Sequence, residues 1–213
     1  MKFFVEEVKK SIKNHDVTIV AATKYFDSNE MKKLFEEGIT HFCENRVSAL
    51  LQKQIDLQDF PITWHFIGTL QTKKVKKIIN NIDYLHSLNT IKLAHEINKR
   101  RIKPLKCFLQ VNISGEESKH GFEPSEIPNV LKEIQHLPNV EIVGLMGMAM
   151  HTDDQTIIHK EFQRLNELQE NLKKTHPKQV KELSIGMSND YLIALEHNAT
   201  FIRLGSVLFK REV

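Results

Sequence analysis

Short apolar runs alternate with helix-patterned segments along the whole chain, and this alternation restricts the fold more than any other feature. Residues 17–22, Val-Thr-Ile-Val-Ala-Ala, form a β-branched run of strand length. Similar runs follow at 39–42, at 62–67 after Pro61, and at 82–86, 105–111, 140–145, 182–185 and 200–204. Between them the apolar spacing is helical. Ser28 can cap a helix through Met31, Leu34 and Phe35 to Gly38. Further helices are predicted over 46–57 and around Val75, Ile78 and Ile79. Others are predicted through Ile91, Leu93, Ala94 and Ile97, and through Ile127, Val130, Leu131 and Ile134. The last two cover 157–172, which His176-Pro177 ends, and 191–195. Ahead of them all, residues 3–12 place Phe4, Val5, Val8 and Ile12 on one helical face.

Eight strands alternating with helices through short loops argue for parallel βαβ units and an α/β fold of the (β/α)8 TIM-barrel type. A doubly wound open sheet is the alternative. At 213 residues the chain is short for such a barrel, which usually takes about 250. Nine residues follow Leu204, too few for an eighth full helix, so the N-terminal helix is expected to fill that place in the outer ring. Without a Pro/Ser-rich linker or composition break, residues 1–213 are expected to form a single domain.

Charge and cysteine usage narrow the function classes. Thirty Lys+Arg against twenty-seven Asp+Glu leave a formal charge of +3. That bias is too small to mark a dedicated nucleic-acid binder. The basic runs Lys73-Lys74-Val75-Lys76-Lys77 and Lys99-Arg100-Arg101 fall on predicted helices and lack interleaved aromatics for base stacking. No nucleic-acid partner is therefore expected. No apolar run reaches the roughly 18–20 residues that span a bilayer, and the N-terminus carries no signal-peptide pattern. The expectation is a cytoplasmic protein without a membrane partner. Cys43 and Cys107 are far apart and form neither a disulfide framework nor a metal pair, and no HExxH occurs. Cys43 reads as a small buried residue rather than a nucleophile. The outer helices show no long apolar stripe, so a monomer is expected.

In barrels of this type the active site forms at the C-terminal ends of the strands. Lys24 follows the first strand, directly behind six uncharged residues. An amine held there between apolar walls can attack a carbonyl and form a Schiff base. Taken alone, the same lysine is better explained by snorkelling into solvent. Gly186-Met187-Ser188-Asn189-Asp190 follows the seventh strand and Leu204-Gly205-Ser206 the eighth, the loops where barrels often bind phosphate through amides, hydroxyls and close glycine backbone. A phosphate site on one side of the mouth and a lysine on the adjacent first strand describe a bridging phosphorylated aldehyde. Pyridoxal 5′-phosphate (PLP) is the candidate.

These segments, taken in order, also resemble a family. Val20-Ala21-Ala22-Thr23-Lys24, Glu44-Asn45-Arg46-Val47, 64–71 (WHFIGTLQ), His86-Ser87, Gln110-Val111-Asn112-Ile113-Ser114, Gly144-Leu145-Met146, 186–190 (GMSND) and Arg203-Leu204-Gly205-Ser206 are similar to the successive motifs of the PLP homeostasis proteins of the YggS/PROSC type. The resemblance covers nearly the whole chain and implies a barrel of the alanine-racemase N-terminal type. It further implies that Lys24 carries PLP. Ser188 with the Met187 and Ser188 backbone, Gly205 and Ser206 would hold the phosphate. Arg203 would lie near the pyridine nitrogen, where a cation disfavours ring protonation and weakens the ring as an electron sink. Cys43 and Lys210 stand where the family usually has glycine.

Asn45 and His65 fall at or near the ends of the second and third strands, where they either contact the cofactor or its waters or simply close the barrel rim. Lys119 matches a lysine of the family's SxExxKxG motif in the loop after the fifth strand, and reads as a phosphate-attracting or a solvated residue. The expected function is a PLP carrier or buffer serving apo PLP-dependent enzymes, with little or no turnover. The competing reading is an amino-acid racemase on the same barrel, which needs a second acid/base opposite the lysine. Tyr25, beside Lys24, is disfavoured for that role because neighbouring strand residues point to opposite faces.

Overall fold

The computed structural model of the chain describes residues 2–115 and 120–210. Lys119 lies outside the described residues. In chain order the first half comprises β1 (Lys2–Phe3), α1 (Val5–Ile12), β2 (Thr18–Ala22), α2 (Ser28–Glu36), β3 (His41–Glu44), α3 (Val47–Asp56), β4 (Thr63–Phe66), α4 (Val75–Ile78), β5 (Tyr84–Leu88) and α5 (Ile91–Arg100). The second half comprises β6 (Leu105–Gln110), α6 (Ile127–Ile134), β7 (Val140–Met146), α7 (Gln155–Lys173), β8 (Glu182–Met187), α8 (Tyr191–Glu196), β9 (Phe201–Leu204) and β10 (Phe209–Lys210).

Strands β2 to β9 close into a barrel in sequence order. Every neighbouring pair is parallel, and β9 returns to β2 in the register Thr18↔Phe201 through Ala21↔Leu204. Closure removes the open-sheet alternative and leaves the barrel without an edge.

Most elements lie within two residues of their expected bounds, and the differences have local causes. The second strand, expected at 39–42, lies at His41–Glu44 because Gly38 adopts φ +86° and ends α2. The Gly38 and Ile39 amides donate to Phe35 and Leu34 carbonyls, so Ile39 closes the helix rather than joining the sheet. The cap of α2 is Asp27, not Ser28. The Asp27 side chain accepts the Glu30 amide at 2.8 Å, while Glu30 accepts the Asp27 amide at 2.9 Å. Two elements were not expected at all: β1 and β10 pair antiparallel over two residues each, too short to show any period. They fix α1 at the position an eighth helix would take. There the Phe4 amide donates to the Leu208 carbonyl at 3.0 Å, and the Ser11 hydroxyl meets the Tyr191 hydroxyl at 3.2 Å.

Helix faces carrying Leu34, Leu50, Ile78, Ile97, Leu131 and Phe162 are fully buried against the outside of the barrel. Each such side chain contributes roughly 1.5–3 kcal/mol relative to exposure. Inside the barrel a second cluster joins Val20, Cys43, Phe108, Met146 and Phe201. Inward and outward positions alternate along each strand. Val20 of β2 belongs to the inner cluster and Ala22 packs against it, and Lys24 lies in the turn just beyond the strand end.

Candidate functional site

The loops after β8 and β9 meet in a cleft of about 310 Å³ that contains Met187, Ser188, Arg203, Gly205 and Ser206. Ala22 of β2 lines the same cleft, and residues 149–152 after β7 form the facing wall. Gly186 makes the sharp exit from β8 possible at φ +89°. The Asp190 carboxylate then turns back to accept the Met187 amide at 2.5 Å, while its own amide donates to the Met187 carbonyl at 3.1 Å. Burial raises the Asp190 carboxyl above the ordinary range, against the opposing effects of the Met187 amide and Arg203. Ser188 ties the two loops together: its Oγ accepts the Gly205 amide at 3.0 Å and the Val207 amide at 3.3 Å. Among the described residues, the Ser188, Asn189 and Ser206 amides have no hydrogen-bond acceptor, so three donors of cleft-lining residues remain available.

Arg203 is 4% exposed and forms no ion pair within 4.0 Å among the described residues. Its Nη1 donates to the Ser184 carbonyl at 2.8 Å and the Ser184 Oγ at 2.6 Å, and its Nη2 donates to the Gly147 carbonyl at 3.1 Å. A guanidinium has five N–H donors, so Nε–H and one Nη2–H remain for the cleft that Arg203 lines.

Lys24 is exposed and stands at the rim rather than among the cleft-lining residues, so the expected apolar walls are absent. Its Nζ lies 4.8 Å from the centre of the Tyr25 ring. Residues 23–26 form a turn closed by the Phe26 amide on the Thr23 carbonyl, and strand alternation therefore does not separate Lys24 from Tyr25. The turn itself is held from below. Thr23 Oγ1 donates to Glu44 Oε1 at 2.8 Å and to the Cys43 carbonyl at 3.1 Å. Lys53 Nζ donates to the Thr23 carbonyl at 2.5 Å and forms an ion pair with Glu44, which is 2% exposed. Glu44 therefore anchors the lysine-bearing turn, a role its place beside Asn45 did not suggest.

Asn45 and His65 are not brought into the cleft. Asn45 lines a separate depression with Arg46, Ser48, Lys74 and Lys77. His65 is wholly buried inside the barrel, its Nε2 2.9 Å from His41 Nδ1 and its Nδ1 2.8 Å from His86 Nε2. Both ring nitrogens are thus engaged by other histidines, and His65 is an interior residue rather than a rim contact. His86 stood within a family motif but was given no role by sequence reasoning, and Ser184 was missed. The available signal was a polar residue at an inward position of a barrel strand. Cys43 is 1% exposed, and burial pushes its thiol up to about 12, which keeps it protonated and unreactive.

Burial holds His65 and His86 well below the usual imidazole range, with neighbouring histidines adding to the effect. For a base depressed in the folded state, the unfolded chain takes up protons first. The contribution of these residues to stability is therefore complete above about pH 6.5 and lost as pH falls below it. Unfolding by denaturant is expected to need roughly 3 kcal/mol less at pH 5.5 than at pH 7.5, given ~1.4 kcal/mol for each of the two histidines over the pH unit below 6.5. Equal stability at the two values would contradict the neutral assignment.

The family described as alanine racemase, N-terminal domain, matches residues 5–212. The fold and mouth geometry thus define an alanine-racemase-type barrel. Alanine racemase from Clostridium difficile 630 superposes with a TM-score of 0.79 at 14% identity, over 98% of this chain and 56% of the racemase, a likeness of fold alone. Among curated proteins, the pyridoxal phosphate homeostasis protein of Aquifex aeolicus is 34% identical over 194 residues, spanning 90% of this chain and 85% of its own. That of Schizosaccharomyces pombe is 33% identical over 209 residues, 95% and 87% of the two chains. PipY of Synechococcus elongatus, solved with PLP bound, superposes with a TM-score of 0.88 at 29% identity over 97% of this chain and all of the other. The chain belongs to the pyridoxal phosphate homeostasis protein family. Among the described residues no helix is long and apolar enough to cross a membrane.

Proposed function

We propose that this chain binds PLP at the barrel mouth, with its phosphate between the loops after β8 and β9 and its aldehyde joined to Lys24 as a Schiff base. It holds the cofactor for apo PLP-dependent enzymes with little or no turnover. The observation that carries this reading is the convergence of Met187, Ser188, Arg203, Gly205 and Ser206 on one cleft with unused amide and guanidinium donors. The residues present suit the group. The cleft falls at the lower end of the roughly 300–1,000 Å³ typical of small-ligand pockets.

When bound, PLP supplies an aldehyde for exchange with amines and a pyridine ring that can draw electrons. The Lys24 amine adds to the aldehyde carbon and water leaves, so C=N replaces C=O without oxidation or reduction. The Ser188, Asn189 and Ser206 amides would donate to the phosphate, and Arg203 would present a permanent cation toward the ring. A cation there disfavours pyridine protonation, which supports binding and release over carbanion chemistry. The Tyr25 ring packs against the Lys24 amine, a place that does not suit an acid/base working from the opposite face. Asp190 is engaged by the Met187 amide. The cofactor shown for PipY and the family relationship support the same reading.

Titrating the purified protein with PLP should produce a saturable visible absorption band that Lys24→Ala lacks. A band unchanged in Lys24→Ala would contradict the assignment. Sustained racemisation of any amino acid by the PLP-loaded protein would overturn the carrier reading in favour of a racemase.

A further inference from the structure

The interior histidines end on Arg203, and their geometry assigns a direction to the whole row. His41 Nδ1 lies 2.9 Å from His65 Nε2, His65 Nδ1 2.8 Å from His86 Nε2, and His86 Nδ1 2.8 Å from Ser184 Oγ, which is 2.6 Å from Arg203 Nη1. Arginine only donates. Ser184 Oγ therefore accepts from Arg203, and its one proton goes to His86 Nδ1. His86 must then carry its proton on Nε2 and donate to His65 Nδ1, and His65 must likewise donate from Nε2 to His41 Nδ1. The opposite direction would aim two donors at Ser184 Oγ and leave its hydroxyl proton without an acceptor in a wholly buried site.

We propose that His41, His65, His86 and Ser184 form a one-way hydrogen-bond chain that positions Arg203, with Ser184 the acceptor that fixes the guanidinium at the cleft. The row crosses the barrel from β3 through β4, β5 and β8 to β9, and its far end opens beside Gly38 and Thr40. The charged and titratable groups facing it are few. Asp83 and Lys106 act on His41, and the Tyr84 ring stacks on His65 at 4.5 Å. Arg203 acts on His86, while Cys43 and Asp190 act on Arg203. Among the described residues no carboxylate lies within hydrogen-bond distance of His65 or His86, so both stay neutral and available as acceptors. The hydrogen-bond acceptors that hold the arginine, Ser184 and the Gly147 carbonyl, are thereby all neutral. Ser184 is a positioning residue: it acts through Arg203 and does not line the cleft.

The functional part of this inference rests on the proposed PLP site, whereas the chain itself does not. Long-range ¹H–¹⁵N NMR of the PLP-free protein at pH 7.5 should show His41, His65 and His86 all as neutral Nε2–H tautomers. An Nδ1–H or doubly protonated ring at His65 or His86 would overturn the proposal, and this holds whether or not PLP binds. In the PLP-loaded protein, Ser184→Ala should weaken PLP binding about tenfold and shift the bound cofactor's visible band, and Ser184→Thr, which restores the hydroxyl, should return both toward the parent. An unmoved band and affinity in folded Ser184→Ala would overturn the positioning role. Should Ser184→Ala fail to fold, the tautomers of the parent protein and the Ser184→Thr spectrum decide the matter. Failure of the parent to bind PLP would sink the cofactor reading and leave the tautomer result standing.

Discussion

Glu44→Ala is expected to destabilise this barrel more than any other single change near its mouth, although Glu44 does not touch the cleft. The carboxylate is 2% exposed and accepts from both Thr23 Oγ1 and Lys53 Nζ. Removing it strands a lysine whose side chain is only 12% exposed and leaves the Thr23 hydroxyl with the Cys43 carbonyl as its remaining partner. Breaking a buried pair by deleting one partner costs about 3–5 kcal/mol. At about 2–4 °C per kcal/mol for a domain of this size, the thermal midpoint should fall by roughly 6–20 °C. Lys53 also holds the Thr23 carbonyl, so the turn carrying Lys24 loosens together with its support. Affinity for PLP should drop even at temperatures where the variant stays folded. Glu44→Gln keeps one acceptor oxygen for Thr23 and should fall between the two. Scanning calorimetry of the three proteins checks the order, and a shift below 2 °C for Glu44→Ala would contradict the anchoring role.

The second large effect is expected at Gly186. Its φ of +89° lies where side chains are strained, and an added Cβ would meet the Ala194 Cβ at 2.7 Å and the Tyr191 Cα at 3.0 Å. Relief requires α8 to move away from β8, because one of the two contacts is backbone. Strain and overpacking together predict a loss of about 2–5 kcal/mol for Gly186→Ala. The displacement passes directly into 187–190, the loop in which Asp190 closes on the Met187 amide and Ser188 reaches the Gly205 amide. Phosphate affinity should therefore fall along with stability. Isothermal titration with PLP and denaturant unfolding measure the two parts. Unimpaired PLP binding by a folded Gly186→Ala would mean that this loop does not carry the phosphate.

The barrel was legible in the sequence because its strands are short apolar runs with breakers on either side. Pairs such as Gly38 with 39–42 and Pro61 with 62–67 mark the punctuation plainly. Boundaries moved where a cap consumed residues that looked like strand, as Ile39 did in closing α2. The cleft was also legible, since glycines, hydroxyls and an arginine following the last two strands are adjacent wherever those strands pair. The interior was harder to read. A histidine in a strand of mixed polarity looks the same whether it faces the rim or the axis, and His65 turned out to face the axis. Its partners His86 and Ser184 come from strands 21 and 119 residues away, His86 in direct contact and Ser184 through it. No local pattern records such contacts. The Glu44, Thr23 and Lys53 cluster is similar, joining two strand ends to the second turn of a helix.

The central claim, that Lys24 holds PLP covalently, is tested most directly by borohydride reduction of the PLP-loaded protein followed by proteolysis and peptide mapping. Hydride addition to a C=N bond yields a stable secondary amine that survives digestion. The account predicts a pyridoxyl adduct on the peptide containing Lys24 and on no other lysine at stoichiometric PLP. A protein that binds PLP but yields no adduct at Lys24, or yields it at a different lysine, would contradict it.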